Sequence, residues 1–257
     1  MSELSIVLIV KNEQEGIEKC LQVAQTLADE LIVLDAGSED DTQQISLSFG
    51  AKVYENNQWP GYGKQRQIAQ SYATKPWVMM LDADEILTAE SVAEIKKVVK
   101  QNDQDNVYFI PRSTHVFGRF IHYGGWYPDF VARLYPREKV AYNDNLVHEK
   151  LLIPTVMKQK KLTHPLLHYS YKDMNDYLVK SAFYAKSWAD QRFSQGKKTS
   201  ILNAALHAIG CFTRMYIFRL GFLDGKQGLI LALLSSHSTF VKYIDLWSRY
   251  HSDKMSS

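Results

Sequence analysis

Cysteine is almost missing. Cys20 and Cys211 are the only two in 257 residues. Such a pair makes neither a disulfide framework nor a zinc pattern, and reads as buried free thiols suited to a reducing compartment. An excess of either charge is also lacking. The formal net charge is +2 and the pI is about 8.3, too mild for nucleic-acid binding. No uncharged run is long enough to span a bilayer. The best candidate, 201–223, is interrupted by His207, Arg214 and Arg219, so a membrane-spanning helix is not expected. The N-terminal apolar run stops at Lys11, Asn12 and Glu13 with no basic leader before it, and reads as a strand rather than a signal peptide. No GxGxxG follows that strand and no P-loop occurs, which argues against a dinucleotide site. Internal repeats and low-complexity segments are also absent.

What is present is ordinary for a globular chain: 46% hydrophobic and 23% charged residues. The length fits one large domain, or one domain with an appendage. Leu4 to Val10 is a continuous apolar, β-branched run, as in a strand buried on both faces of a parallel sheet. Helical spacing follows over Glu13 to Ala28, then a second buried strand at Leu31 to Leu34. Ser38, with Glu39, Asp40 and Asp41 behind it, is placed to cap a helix. Further elements are a strand at Lys52 to Tyr54, a helix at Gln65 to Ala73, a strand at Trp77 to Leu81, and a helix capped by Thr88 and reaching Lys100. This alternation predicts an α/β fold built on a mostly parallel sheet. After Gln101 the rhythm changes. Strands are expected at Val107 to Arg112 and Phe130 to Pro136 around an aromatic, Gly-containing loop, with an extended stretch at Leu162 to Tyr171. From Asp173 the pattern is helical. The expected division is a nucleotide-binding and catalytic domain over 1–170 and a helical region over 171–257.

Ligands of open α/β sheets bind beyond the carboxyl ends of the strands. Here those ends are acidic: Asn12 and Glu13 after the first, Asp35 after the second, and Asp82, Ala83, Asp84 and Glu85 after the fourth. A diphosphate brought to such a crevice needs a bridging cation. Asp82 and Asp84, two apart in extended backbone, point to one side and suit Mg²⁺ or Mn²⁺.

The segments SIVLIVKNE (5–13), ELIVLDAGSEDDT (30–42), WPGYGKQRQIA (59–69), WVMMLDADE (77–85), GGWYPDFVARLYPR (124–137) and NLVHEKL (145–151) resemble the inverting family-2 glycosyltransferases of GT-A fold. Among these the likeness is greatest to lipopolysaccharide-core β-1,4-glucosyltransferases, and a weaker similarity runs on through RLGFLDGKQGL (219–229). The resemblance implies a UDP-sugar donor, a divalent metal and a lipid-linked saccharide acceptor such as inner-core heptose. It implies that Asn12, Glu13 and Asp35 line the uridine pocket and that Lys64 and Arg66 lie near the nucleotide. Asp84, supported by Asp82, would hold the metal, with His168 as a third ligand and His164 as the alternative. Inverting transfer needs a carboxylate to take the acceptor's proton. The candidates are Glu149 and Asp129, because the family's usual paired acids are replaced here by His148 and Glu149. Trp59, Trp126 and Tyr127 are placed to stack on sugar rings or to pack in the core. A nucleotidyltransferase lacks its basic Gly-rich loop here, and a non-catalytic sugar-nucleotide-binding module would not need these acids. Bases and aromatics after residue 173 suit reversible attachment to an anionic membrane surface. With a lipid-linked acceptor, this predicts a peripheral enzyme on the cytoplasmic face of the inner membrane.

Overall fold

The computed structural model describes residues 3–144, 149–171 and 173–252. Its first unit comprises residues up to Arg112 together with Asp129–His168. Four strands, β1 (Leu4–Val10), β2 (Glu30–Asp35), β3 (Lys52–Glu55) and β4 (Trp77–Leu81), run parallel in the order β3-β2-β1-β4. Helices α1 (Gln14–Ala24), α2 (Thr42–Ser48), α3 (Tyr62–Ser71) and α4 (Ala89–Gln101) connect or follow them. The alternation of side chains along β1 feeds two cores. Leu4, Ile6 and Leu8 pack with Ile17, Leu21 and Ile95, whereas Val7 packs with Ala69, Val78 and Tyr135. Burial on both faces is why the sequence shows continuous apolar runs.

The remaining strands are β5 (Glu85–Leu87), β6 (Asn106–Val116), β7 (Arg119–Phe120), β8 (Asp129–Pro136), β9 (Ala141–Tyr142), β10 (Leu151–Leu152), β11 (Lys158–Lys161) and β12 (Leu166–His168). The main sheet continues from β4 as β8-β6-β12-β5. There the expectation of a mostly parallel sheet needs correcting. β8 is antiparallel to both β4 and β6, and β12 is antiparallel to β5. Chain segment 113–128 returns β6 to β8 without a crossover helix, which only an antiparallel pair permits.

Local expectations fare unevenly. Thr88 caps α4 by accepting from the Ser91 N–H at 3.1 Å. Ser38 caps nothing: its hydroxyl donates to Asp35 at 2.6 Å, and α2 starts later, at Thr42. The extended stretch over 162–171 shortens to β12. Cys20 is buried but Cys211 only partly so, and both are free thiols.

The second unit comprises Ser113–Pro128 and the chain after His168. The structure thus divides the chain differently from a single cut at 170, because 113–128 belongs with the helices. The reason is packing: Val116 and Ile121 share a small core with Tyr177 and Leu231. The helices are α5 (Met174–Ser194), α6 (Ile201–Thr213), which runs into a π-helical turn at Arg214–Phe218, and α7 (Gly225–Ser252), preceded by a 3₁₀ turn at Gly221–Asp224. Asp173 and Ser200 cap α5 and α6 with their side chains. Segments Ile201–Phe218 and Gly221–His251 are long and apolar enough to cross a membrane by length and composition, and in the most apolar 18-residue stretch of each only 17% is buried. That measure tolerates charges, whereas the sequence reading looked for an uncharged run, which His207, Arg214 and Arg219 interrupt in the first segment.

Candidate active site

The carboxyl ends of β1 and β2 are laced together. Asn12 adopts a left-handed conformation, φ 55°, and its Oδ1 accepts from the Glu39 N–H at 2.9 Å. The Asn12 N–H donates to Ser38 Oγ, and the Glu13 N–H donates to Thr42 Oγ1. Asp35 is fully buried. Its oxygens accept from the Gly37 and Ser38 N–H groups, both at 2.7 Å, and from the Ser38 hydroxyl. Asn12, Glu13 and Asp35 thus meet at the expected crevice, with Asp35 shaping the turn beyond β2.

At the end of β4 the chain turns sharply. The Glu85 N–H donates to the Asp82 carbonyl at 3.0 Å, closing a turn over 82–85. Asp82 and Asp84 thus lie in a turn rather than in extended backbone, and they take different partners. Asp82 lies between two arginines: Arg66 Nη2 at 2.6 Å from Oδ1, and Arg133 Nη2 on Oδ2. Burial opposes ionisation of Asp82, but Arg133 and Arg66 override it and hold the carboxyl far below its usual range. Asp84 has a different partner. Its Oδ2 lies 3.3 Å from Nε2 of the buried His168.

An alternating string of charge extends in both directions from Asp82. Arg66 Nε donates to Glu149 at 2.9 Å. Arg133 also reaches Glu85, which is fully buried, at 2.6 Å. Arg112 lies 3.5 Å from Glu85 and grips Asp129 through Nε and Nη2 at 2.9 and 2.5 Å. The two candidate bases, Glu149 and Asp129, are therefore the two ends of one string that runs through Asp82, Arg133 and Glu85. Cys20 lies beneath the turn, its Sγ 3.7 Å from the Asp82 carbonyl. Burial, then the charges of Glu85, Asp84 and Asp82, push its thiol far up, so it stays protonated and inert.

Lys64 and Arg66, expected together, part company. Two apart on α3, they face different sides. Arg66 is buried in the string, and Lys64 is exposed against Gln67 and Asp144. His164 is exposed and lies against Glu94 through its backbone, away from Asp84. Asn145 to His148 of the sixth segment lie outside the described residues. Of the expected metal set, Asp84 and His168 stand together, while Asp82 is paired with Arg66 and Arg133. Among the described residues no group of three such ligands occurs. Sequence reasoning missed Arg133 and Arg112. The available signal was strand alternation: Arg133 is two residues from Tyr135 on β8, and so shares its buried face.

The Asp84–His168 pair is still suited to a divalent ion. Adjacent donors around a metal with bonds of ~2.1 Å stand about 3 Å apart, close to the 3.3 Å observed. One carboxylate and one imidazole leave the other positions to phosphate and water.

Residues 5–163, more than half of the chain, match Glycosyl transferase family 2. The chain belongs to that family. The mixed sheet with its flanking helices is accordingly a GT-A-like fold, and the protein is a glycosyltransferase. It is 27% identical over 259 residues to an uncharacterized glycosyltransferase of Rickettsia prowazekii, covering 96% of this chain and 87% of that one. It is also 26% identical to the lipopolysaccharide core biosynthesis glycosyltransferase LpsC of Rhizobium meliloti, covering 96% and 93%. Among solved structures, S. aureus TarS 1-349 in complex with UDP covers 98% of this glycosyltransferase and 92% of its own chain, at 13% identity and a TM-score of 0.49.

Proposed function

We propose that this glycosyltransferase moves a hexose, with glucose the first candidate, from a UDP-sugar to a lipid-linked saccharide, and that it inverts the anomeric carbon. The acceptor we favour is the heptose of a lipopolysaccharide inner core. One observation carries the donor side: Asp84 and His168 pair at the carboxyl end of β4, beside an arginine-clamped Asp82. A second supports it. Arg66 Nη1 is buried with no acceptor among the described residues, so it can donate to a diphosphate oxygen. For the acceptor, the support is the relative named for lipopolysaccharide core biosynthesis.

In this reading Asp84 and His168 hold a divalent cation, which when bound neutralises the charge of the leaving diphosphate. The rest is done by the chain itself. Asn12, Glu13 and the turn shaped by Asp35 receive the uridine. Arg66 faces the diphosphate. Glu149, oriented by Arg66, takes the acceptor hydroxyl's proton as the oxygen bonds to the anomeric carbon and the bond to diphosphate breaks. Asp129, oriented by Arg112, is the alternative base. Attachment to the cytoplasmic membrane face follows from a lipid-linked acceptor. Its support is the charge and exposure of the helical unit. Residues 191–223 include five lysines and arginines and no acid, while Leu202, Leu206, Ile209 and Phe218 are exposed.

The test is transfer from UDP-glucose to heptose-terminated lipopolysaccharide. Glu149→Gln should bind donor normally and transfer about 10²–10⁴ times more slowly. If Asp129→Asn shows that loss and Glu149→Gln does not, the roles exchange. A wild-type enzyme that neither hydrolyses nor transfers from any UDP-sugar would refute the reading.

A further inference from the structure

Asp224 is fully buried, yet it lies in a turn and belongs to no catalytic string. Its carboxylate accepts from two successive backbone N–H groups, those of His122 at 3.1 Å and Tyr123 at 2.7 Å. Arg119 adds its guanidinium, 3.7 Å from Asp224 Oδ1. One residue away in the same segment, the Gly124 N–H donates to the Arg219 carbonyl at 2.9 Å. The side chain of Arg219 fills the space over Gly125, where a Cβ would come within 2.0 Å of Nη1. At the other end of the segment, Gln227 Nε2 donates to the Phe117 carbonyl at 3.4 Å. The stretch 219–227 thus grips 117–125 along its length.

Both sides of this grip are built for the purpose. Gly118, Gly124 and Gly125 have positive φ, which glycine adopts freely, and Phe117 has it too, where a side chain makes it costly. On the gripping side, Leu220 and Gly225 have positive φ too. A Cβ at Gly228 would lie 1.9 Å from the Gly221 carbonyl, so no side chain fits there. A turn this constrained, around a buried carboxylate whose hydrogen bonds all go to one loop, serves to fix that loop. What the loop presents is aromatic and polar. His122 and Tyr123 are exposed, and Trp126 and Tyr127 are half-buried. Tyrosine and histidine offer flat, amphipathic faces with few rotatable bonds, the surface that the C–H face of a pyranose stacks upon. The segment leaves from Arg112 and returns at Asp129, the ion pair that ends the charge string.

We propose that the loop 117–128 is a saccharide-binding platform for the acceptor and that Asp224 is its positioning residue. The inference rests on the reading of the chain as a transferase onto a saccharide acceptor, and it assigns that acceptor's site. Holding the loop in its bound form removes an ordering cost from each encounter.

The test uses the full chain on an array of bacterial core and O-antigen saccharides, with UDP-glucose hydrolysis to water measured in parallel. Wild type should be retained on at least one saccharide. Asp224→Asn should lose ten times more of that retention than of its hydrolysis rate, and should raise deuterium exchange at the Tyr123 amide. His122→Ala and Tyr123→Ala, which leave the grip intact, should each lose retention about tenfold. Should Asp224→Asn fail to fold, those two variants decide. Wild type that binds no saccharide, variants that bind as wild type, or retention and hydrolysis falling in step would overturn the proposal. Absent hydrolysis in wild type would instead strike the donor reading.

Discussion

Replacing Arg133 by leucine probes the charge string where it is most buried. Arg133 is 6% exposed and serves both Asp82 and Glu85, the latter wholly buried. Removing one partner from a buried ion pair costs about 3–5 kcal/mol, because the other charge is stranded. Here each carboxylate keeps some help. Asp82 retains Arg66 at 2.6 Å, and Glu85 retains Arg112 at 3.5 Å and the Asp82 N–H at 3.1 Å. The low end of the range therefore applies, about 3 kcal/mol, or a loss of roughly 6–12 °C in melting temperature for a chain of this size. The pH dependence has a definite sign. Asp82 is depressed below its ordinary 3.8 in the folded state, so its contribution is complete above that value and is lost as pH falls below it. The deficit of Arg133→Leu should accordingly narrow below about pH 4. Adding Glu85→Gln removes one stranded charge and should recover about 1–2 kcal/mol. Urea unfolding of the single and double variants at pH 7 and pH 3 measures all of this. A single-variant cost under about 1 kcal/mol at pH 7 would refute the reasoning.

Three further outcomes are expected. Burial opposes ionisation of Glu30, but hydrogen bonds from Lys52, Ser5 and Thr74 bring it down from 4.5 to about 2, so its stabilisation is whole above pH 4.5 and is lost between there and pH 2; Glu30→Gln should cost about 2–3 kcal/mol at pH 7 and nothing near pH 2, by urea unfolding across pH. Gly228→Ala should destabilise the helical unit by about 1–3 kcal/mol through overpacking against Gly221, seen as a lower melting temperature, and an unchanged value would contradict the close approach. The enzyme should float with anionic vesicles and be released only in part by high salt, since exposed Leu206 and Ile209 add apolar burial to the basic attraction; Leu206→Glu with Ile209→Glu should abolish flotation, and equal flotation of that variant would disprove apolar insertion.

The sequence made some features plain and concealed others for identifiable reasons. β1, β2 and β4 are legible because burial on both faces leaves continuous apolar runs, and Thr88 because its side chain acts only on its own helix. Ser38 misleads because Asp35, three residues back, captures its hydroxyl. The acidic strand ends are plain in the sequence, but spacing alone cannot show that Asp82, in a turn at 82–85, pairs with arginine and Asp84 with histidine. Arg66 and Lys64 look alike in the chain and differ only by the faces of α3. Arg133 gives no cue of its partners until β8 is seen between β4 and β6. The antiparallel half of the sheet stayed hidden because strand direction depends on a return over 113–128 that has no helical or tight-turn signature.

The central claim is that Asp84 and His168, not Asp82, hold a divalent ion for the donor diphosphate. Titrating Mn²⁺ by electron paramagnetic resonance in the presence of UDP tests it most directly. Wild type should bind one ion, Asp84→Asn and His168→Gln should each weaken it at least about tenfold, and Asp82→Asn should leave it within a few-fold. Full Mn²⁺ affinity in Asp84→Asn, or a loss confined to Asp82→Asn, would contradict the account.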